Sequence, residues 1–182
     1  MQRKPEQAKL TILPFIMQAI IKAVPEFPHC NAHYNAQQEL LSQYAAIHIG
    51  IATMTRNGLM VPVIKHSESM DIWQLAEKLQ TLTQATRDGK AQSSDLSGST
   101  ITITSLGAIG GISTTPIINA PETTIIGINK IQEKPVVHNG QISIRQIMNL
   151  SSSFDHRIVD GYDGAQFIQA IKVSLETPAT LL

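Results

Sequence analysis

From Ile142 the chain runs through apolar and small residues into SSSFDHRIVDGYDGAQF (151–167), then leaves in an amphipathic helical pattern that reaches Glu176. Strand, junction and helix in that order constrain the fold more than any other stretch. The junction holds His156, Asp160 and Gly161 in the spacing His-x-x-x-Asp-Gly. A strand ending in a histidine, followed by an Asp-Gly turn into a helix, holds an imidazole at the edge of a sheet. Regular structure on both sides keeps that imidazole in place, as a general base requires. Asp160 is placed to cap the helix Gly161–Glu176, and Asp163 adds negative charge to its first turn.

The earlier elements follow from periodicity. In LTILPFIMQAIIKAV (10–24), Leu13, Ile16, Met17, Ile20, Ile21 and Val24 recur at helical spacing. Thr11 suits the N-cap and Pro14 the first turn, while Pro25 and Pro28 stop the helix. Ala32–Tyr34 reads as a short strand before a polar excursion through Gln43. AAIHIGIATMT (45–55) is β-rich and apolar enough for burial on both faces; Asn57-Gly58 is a hairpin signal into LMVPVIK (59–65), where Pro62 marks an edge or an irregularity. Ile72, Leu75, Ala76, Leu79 and Leu82 make one stripe of a helix from Asp71 to Arg87, capped by Asp71 and stopped at Asp88-Gly89. STITITS (99–105) is a β pattern and Leu106–Thr115 a glycine-rich loop. Thr123–Ile131, Pro135–His138 and Gln141–Ser152 are further strands, the last two joined at Asn139-Gly140. Strands lie centrally and C-terminally, with helices at both ends and one between. The expected class is α+β, a mixed β-sheet with helices packed on one side.

With 42% hydrophobic and 15% charged residues, the 182-residue chain is poor in charge for a free surface. Either its interior is large or it is a subunit that hides surface in an oligomer. The 14 basic and 14 acidic residues cancel without a basic run, which speaks against nucleic acid and anionic membranes as partners. A single Cys30, no apolar run of transmembrane length and the polar opening MQRKPEQAK together predict a cytoplasmic protein. His29 and His33 flank Cys30 without a third and fourth spaced ligand, so no metal site is expected. GxSxG is absent, and GAIGG (107–111) is followed by ISTTP rather than a helix start. Neither a serine-hydrolase turn nor a nucleotide loop is supported.

HRIVDG, together with TITSLGAIGG (102–111) and PIINAPE (116–122), resembles the catalytic domain of the dihydrolipoyl acyltransferases. These are core subunits of 2-oxo acid dehydrogenase complexes, with a fold shared with chloramphenicol acetyltransferase. The three motifs stand in the family's order, and the resemblance runs from Leu10 to Leu182. NLSSSFDHRIVDG with SLGAIGG is most similar to the bacterial branched-chain type. The resemblance implies transfer of an acyl group, isobutyryl for example, between dihydrolipoamide and coenzyme A. It also implies a homotrimer able to build a cubic or icosahedral core, with a 2-oxo acid decarboxylase and a dihydrolipoamide dehydrogenase as partners. The lipoamide of such proteins rides on a lipoyl domain that this sequence does not contain. Residues 1–9 are expected to be loose or a linker remnant. Residues 10–182 are expected to be the catalytic domain without the family's opening strand and helix.

Roles follow from the same resemblance. His156 would remove the thiol proton of coenzyme A or dihydrolipoamide; alone, a histidine before an arginine at a strand end is more often a surface or capping residue. Thr104, where many members carry serine, would face the tetrahedral oxyanion, although a strand threonine alone is better explained by β-propensity. Because the family's site lies between subunits, Thr104 would meet His156 of a neighbour. Asp160 either orients the base or caps the helix and shapes the loop through an ion pair, the second being favoured. Ser105, Gly107 and Ala108 would lie near the pantetheine arm. Met54 stands where related chains often have aspartate, so a polar contact to coenzyme A would be missing. An acetyl- or succinyl-transferring relative and an inactive structural core fragment are the rival readings.

Overall fold

The computed structural model describes residues 9–105, 107 and 110–181. Most of the stretch expected to be loose, residues 1–8, and the site candidate Ala108 lie outside the described residues. The elements are α1 (Ile12–Ala23), β1 (Ala32–Asn35), β2 (Leu40–Gln43), β3 (Ile49–Thr55), β4 (Gly58–Met60), β5 (Val63–Ile64) and α2 (Ile72–Arg87). There follow β6 (Ile101–Ser105), β7 (Thr124–Ile128), β8 (Gln132–His138), β9 (Gln141–Ile147), β10 (Leu150–Phe154) and α3 (Gly161–Glu176).

The main sheet runs in the order β10-β7-β6-β3-β4, with β5 also on β3. The pairs β3·β6 and β6·β7 are parallel, and β10, β4 and β5 run antiparallel to their neighbours, so the sheet is mixed as expected. Strand alternation then sorts the side chains. Ile49, Ile51, Ile101, Ile103, Ile126 and Ile128 share one core with Ile16, Met17 and Ile20 of α1, Leu75 and Leu79 of α2, and Phe167 and Ile171 of α3. Each such side chain, fully buried, stabilises the fold by about 1.5–3 kcal/mol. The opposite face is built of small and polar residues, among them Gly50, Thr102, Thr104, Gly127, Ser151 and Ser153. Three hydrogen bonds fasten the segment from Gly111 to Glu122 across it. Thr114 N–H reaches Ser151 Oγ (3.2 Å), and the hydroxyls of Ser153 and Thr102 reach Pro116 O (2.5 Å) and Glu122 Oε1 (2.9 Å).

Asp71 caps α2 with a full capping box through Gln74, as its position predicts. Thr11 occupies the N-cap of α1 but its side chain makes no capping bond. Pro62 separates β4 from β5, while its carbonyl still accepts from Ile51 N–H (2.8 Å). The expected polar excursion after Tyr34 contains a strand, β2, paired with β1. Its Leu40 and Leu41 are exposed, so no buried stripe betrays it. The single expected strand Gln141–Ser152 is two. β9 pairs with β8 in a separate ribbon, whereas β10 enters the main sheet on β7. The break at Met148-Asn149 has neither glycine nor proline; side-chain bonds hold it, from Asn129 Nδ2 to Asn149 O (3.0 Å) and from Asn149 Nδ2 to Ile112 O (2.9 Å).

Candidate active site

His156 sits one step outside regular structure. β10 ends at Phe154, and the residues from His156 to Ile158 form a turn rather than the strand end that the spacing suggested. The Asp155 carbonyl closes that turn by accepting from the N–H groups of Ile158 and Val159, both at 2.9 Å. Phe154 and the fully buried Val159 anchor its two ends in the core. Arg157 turns outward. Its guanidinium donates to both carboxylate oxygens of Asp155 (2.8 and 2.5 Å) and lies 4.6 Å from the centre of the Tyr34 ring. Those hydrogen bonds hold the Asp155 carboxyl below its usual range against the opposing effect of partial burial. His156 is left exposed at the apex, its Nε2 4.0 Å from where a β-carbon on Gly161 would stand.

Asp160 is the N-cap of α3, its carboxylate accepting from Asp163 N–H at 2.8 Å. The capping geometry is the favoured of its two readings, and no basic side chain pairs with it among the described residues. Asp163 in turn lies 3.2 Å from His29 Nε2, without hydrogen-bond alignment. His33 is engaged elsewhere, Nε2 donating to Ser99 O (2.7 Å) and Nδ1 meeting the Tyr44 hydroxyl (3.0 Å). Among the described residues no group of three or more His, Cys, Asp or Glu could hold a metal ion.

Thr104 belongs to a row that crosses the sheet: Ala52, Thr104, Gly127 and Ser151 are register partners on β3, β6, β7 and β10. Its side chain emerges on the small and polar face. Ser105, the next residue, emerges on the other, and its hydroxyl accepts from Gly107 N–H (3.3 Å) at the mouth of the glycine-rich loop. Thr104 and Ser105 are therefore not brought together.

The same register separates Thr104 from the histidine of its own chain. Ser151 is level with Thr104, and β10 runs on from there toward Phe154, which is level with Thr124 at the start of β7. His156, beyond that end, lies on the order of 15 Å along the sheet from the Thr104 row. Thr104 and His156 of one chain lie at opposite ends of the sheet and cannot share a substrate atom.

Sequence reasoning missed a buried carboxylate on this face. Glu122 is 3% exposed, and its Oε1 accepts from Ser99 Oγ (2.5 Å), Thr102 Oγ1 (2.9 Å) and Asn119 Nδ2 (2.9 Å). Its Oε2 has no partner among the described residues. Burial pushes this carboxyl above its usual range, although the three donors pull it down. PIINAPE gave no hint of such a role, because a glutamate after proline looks like a surface residue.

The family model for the 2-oxoacid dehydrogenases acyltransferase (catalytic domain) matches residues 1–182. The chain belongs to this family. The lipoamide acyltransferase component of the branched-chain alpha-keto acid dehydrogenase complex of Pseudomonas aeruginosa is 54% identical over 176 residues, which are 97% of this chain and 41% of that protein. The dihydrolipoyllysine-residue acetyltransferase component of the pyruvate dehydrogenase complex of Staphylococcus aureus is 38% identical over 174 residues, 96% of this chain and 40% of that one. The chain thus spans about two-fifths of the length of the curated relatives it matches. Among solved structures, the dihydrolipoamide acetyltransferase of Azotobacter vinelandii superposes with a TM-score of 0.90 at 35% identity, covering 96% of this chain and 72% of that one. Chloramphenicol acetyltransferase superposes with a TM-score of 0.58 at 14% identity over 91% of this chain and 78% of its own, a likeness of fold alone. The α+β expectation and the chloramphenicol acetyltransferase-like architecture hold for this acyltransferase domain.

Proposed function

We propose that this domain transfers a branched acyl group such as isobutyryl between the dihydrolipoamide thiol and coenzyme A, at a site shared by two copies of the chain. The observation that carries this reading is the placement of Thr104 and His156 at opposite ends of one sheet, each on an accessible edge or face. A second copy brings its His156 to the Thr104 of the first. The Azotobacter protein, studied for the catalytic roles of a serine, a histidine and an asparagine, supports the assignment. Its serine and histidine stand 52 residues apart and its asparagine four further on, the spacings of Thr104, His156 and Asp160 here. The asparagine there is an aspartate here, and as an N-cap it serves to hold the His156 turn against α3.

In the proposed step His156 accepts the thiol proton as sulfur attacks the thioester carbonyl. A thiol of pKa about 8.5 is a poor nucleophile at neutral pH, and an imidazole near 6.5 is close enough to take its proton; such a base is worth ~10²–10⁴ in rate. The Thr104 hydroxyl donates to the oxyanion of the tetrahedral intermediate, a contact worth ~2.7–4 kcal/mol. Collapse breaks the original C–S bond, and the departing thiolate takes the proton back from His156. Ser105 and Gly107 border the approach of the pantetheine arm, which passes bare backbone at Gly107. Coenzyme A and dihydrolipoamide are substrates, the lipoamide being brought on a lipoyl domain.

Oligomerisation fits the surface. On the β8–β9 ribbon Pro135 faces Ile144 and Val137 faces Ile142, and Val137, Ile142 and Ile144 are each at least 75% exposed. A two-stranded ribbon with an apolar ladder in water is marginal alone, and a second copy covers it in the proposed trimer. Cubic or icosahedral assembly and the decarboxylase and dehydrogenase partners come with the same proposal. The branched-chain assignment rests on the 54% identity to the Pseudomonas protein against 38% to the acetyl-transferring one. The test is acyl transfer from isobutyryl- and acetyl-coenzyme A to dihydrolipoamide, with His156→Ala as control. Turnover that prefers isobutyryl and is lost in the control is expected; preference for acetyl overturns the specificity, and no turnover from a folded oligomer overturns the activity.

A further inference from the structure

Thr104 has a neighbour that the motifs do not mark. Its register partner is Gly127, where a β-carbon would stand 2.8 Å from Thr114 Oγ1 and 3.5 Å from Pro116 Cγ. The Thr114 side chain therefore lies flat on the sheet over Gly127, in the space that any other residue at 127 would occupy. Its direction is set as well. The main chain of Thr114 is fastened on the β10 side, where its N–H donates to Ser151 Oγ (3.2 Å), itself steadied by Asn129 Nδ2 (2.9 Å). Its hydroxyl is over β7, one strand further in, and the next strand in the same row is β6 with Thr104. Adjacent strands are about 4.8 Å apart, so the two hydroxyls lie within about one strand spacing of each other on one face.

The frame around Thr114 is built rather than incidental. Lys130 N–H donates to Gly111 O (3.1 Å), Asn149 Nδ2 to Ile112 O (2.9 Å) and Ser153 Oγ to Pro116 O (2.5 Å), so the segment is pinned on both sides of Thr114. The Thr114 hydroxyl, by contrast, makes no hydrogen bond among the described residues. Oxyanion sites draw their strength from donors already fixed where charge develops, and a second donor beside the first raises that strength without further reorganisation.

We propose that the Thr114 hydroxyl is a second oxyanion donor beside Thr104 in the acyl-transfer site, an assignment that rests on the function proposed above. The substitution Thr114→Val keeps the shape and the N–H bond to Ser151 and removes only the hydroxyl. Measured in the full chain with isobutyryl-coenzyme A and dihydrolipoamide, T114V lowers kcat on the order of 10²-fold with KM for both substrates unchanged. Thr114→Ser restores most of the rate, and T104V/T114V loses less than the product of the two single losses because both hydroxyls serve one charge. A T114V enzyme within about twofold of the parent kcat, beside a T104V enzyme that has lost it, overturns the second donor and leaves the first standing. A raised KM at unchanged kcat overturns it too, as a contact made equally in ground and transition states. Full activity in T104V overturns the underlying site, and the second donor with it.

Discussion

At Glu122 a single oxygen gathers three donors from two segments of the chain: Ser99 and Thr102 at the start of β6, and Asn119 in the covering segment. The carboxyl is buried and held above its ordinary value of 4.5, with His33 the titratable group facing it. An acid raised on folding lends stability below its ordinary value, and that stability is lost as pH rises through the folded value. Glu122→Gln stays neutral while keeping the accepting oxygen, so it raises Tm at pH 8 and leaves Tm near pH 4 little changed. Glu122→Ala strands three donors, at about 1–3 kcal/mol each, and lowers Tm at both. Thermal melts at the two pH values check this; a Gln variant less stable than the parent at pH 8 contradicts it. Residue by residue, HRIVDG and TITSLG stand out as candidates in the sequence because each is a contiguous motif. Glu122 and Thr114 do not, since Glu122 acquires its meaning chiefly from Ser99 and Thr102, at least 20 positions away, and Thr114 from a glycine on another strand.

Among the elements, the β10–turn–α3 unit decides where His156 stands. Phe154 and Phe167 meet edge to face at 6.4 Å, and a β-carbon on Gly164 would come within 2.9 Å of the Phe154 ring. Glycine there lets α3 press against the strand that carries His156. Gly164→Ala, favourable for an isolated helix, is expected to cost about 1–3 kcal/mol by overpacking and to displace the His156 turn. Denaturant unfolding together with kcat measures both effects; a variant of equal or greater stability and unchanged rate contradicts the packing. Helices and the parallel strands were legible from sequence because their apolar periods point into one core. β2 and the division of β9 from β10 were not. β2 exposes its leucines, and the β9/β10 break is made by asparagine side chains rather than by a glycine or proline.

For the whole molecule, the proposed shared site accounts together for a low share of charged residues, an uncovered apolar ladder on β8–β9 and the placing of Thr104 and His156 toward two ends of a sheet. In the proposed cyclic trimer each interface joins the Thr104 of one copy to the His156 of the next, a heterologous contact that closes on itself. The direct test is complementation. Thr104→Val and His156→Ala chains, each nearly inactive, are co-refolded in equal amounts and assayed for isobutyryl transfer. Random mixing brings an intact Thr104 against an intact His156 at about one interface in four, so activity returns to about a quarter of the parent level. A mixture that exchanges subunits, shown by size and labelling, yet stays as inactive as its parents contradicts the shared site.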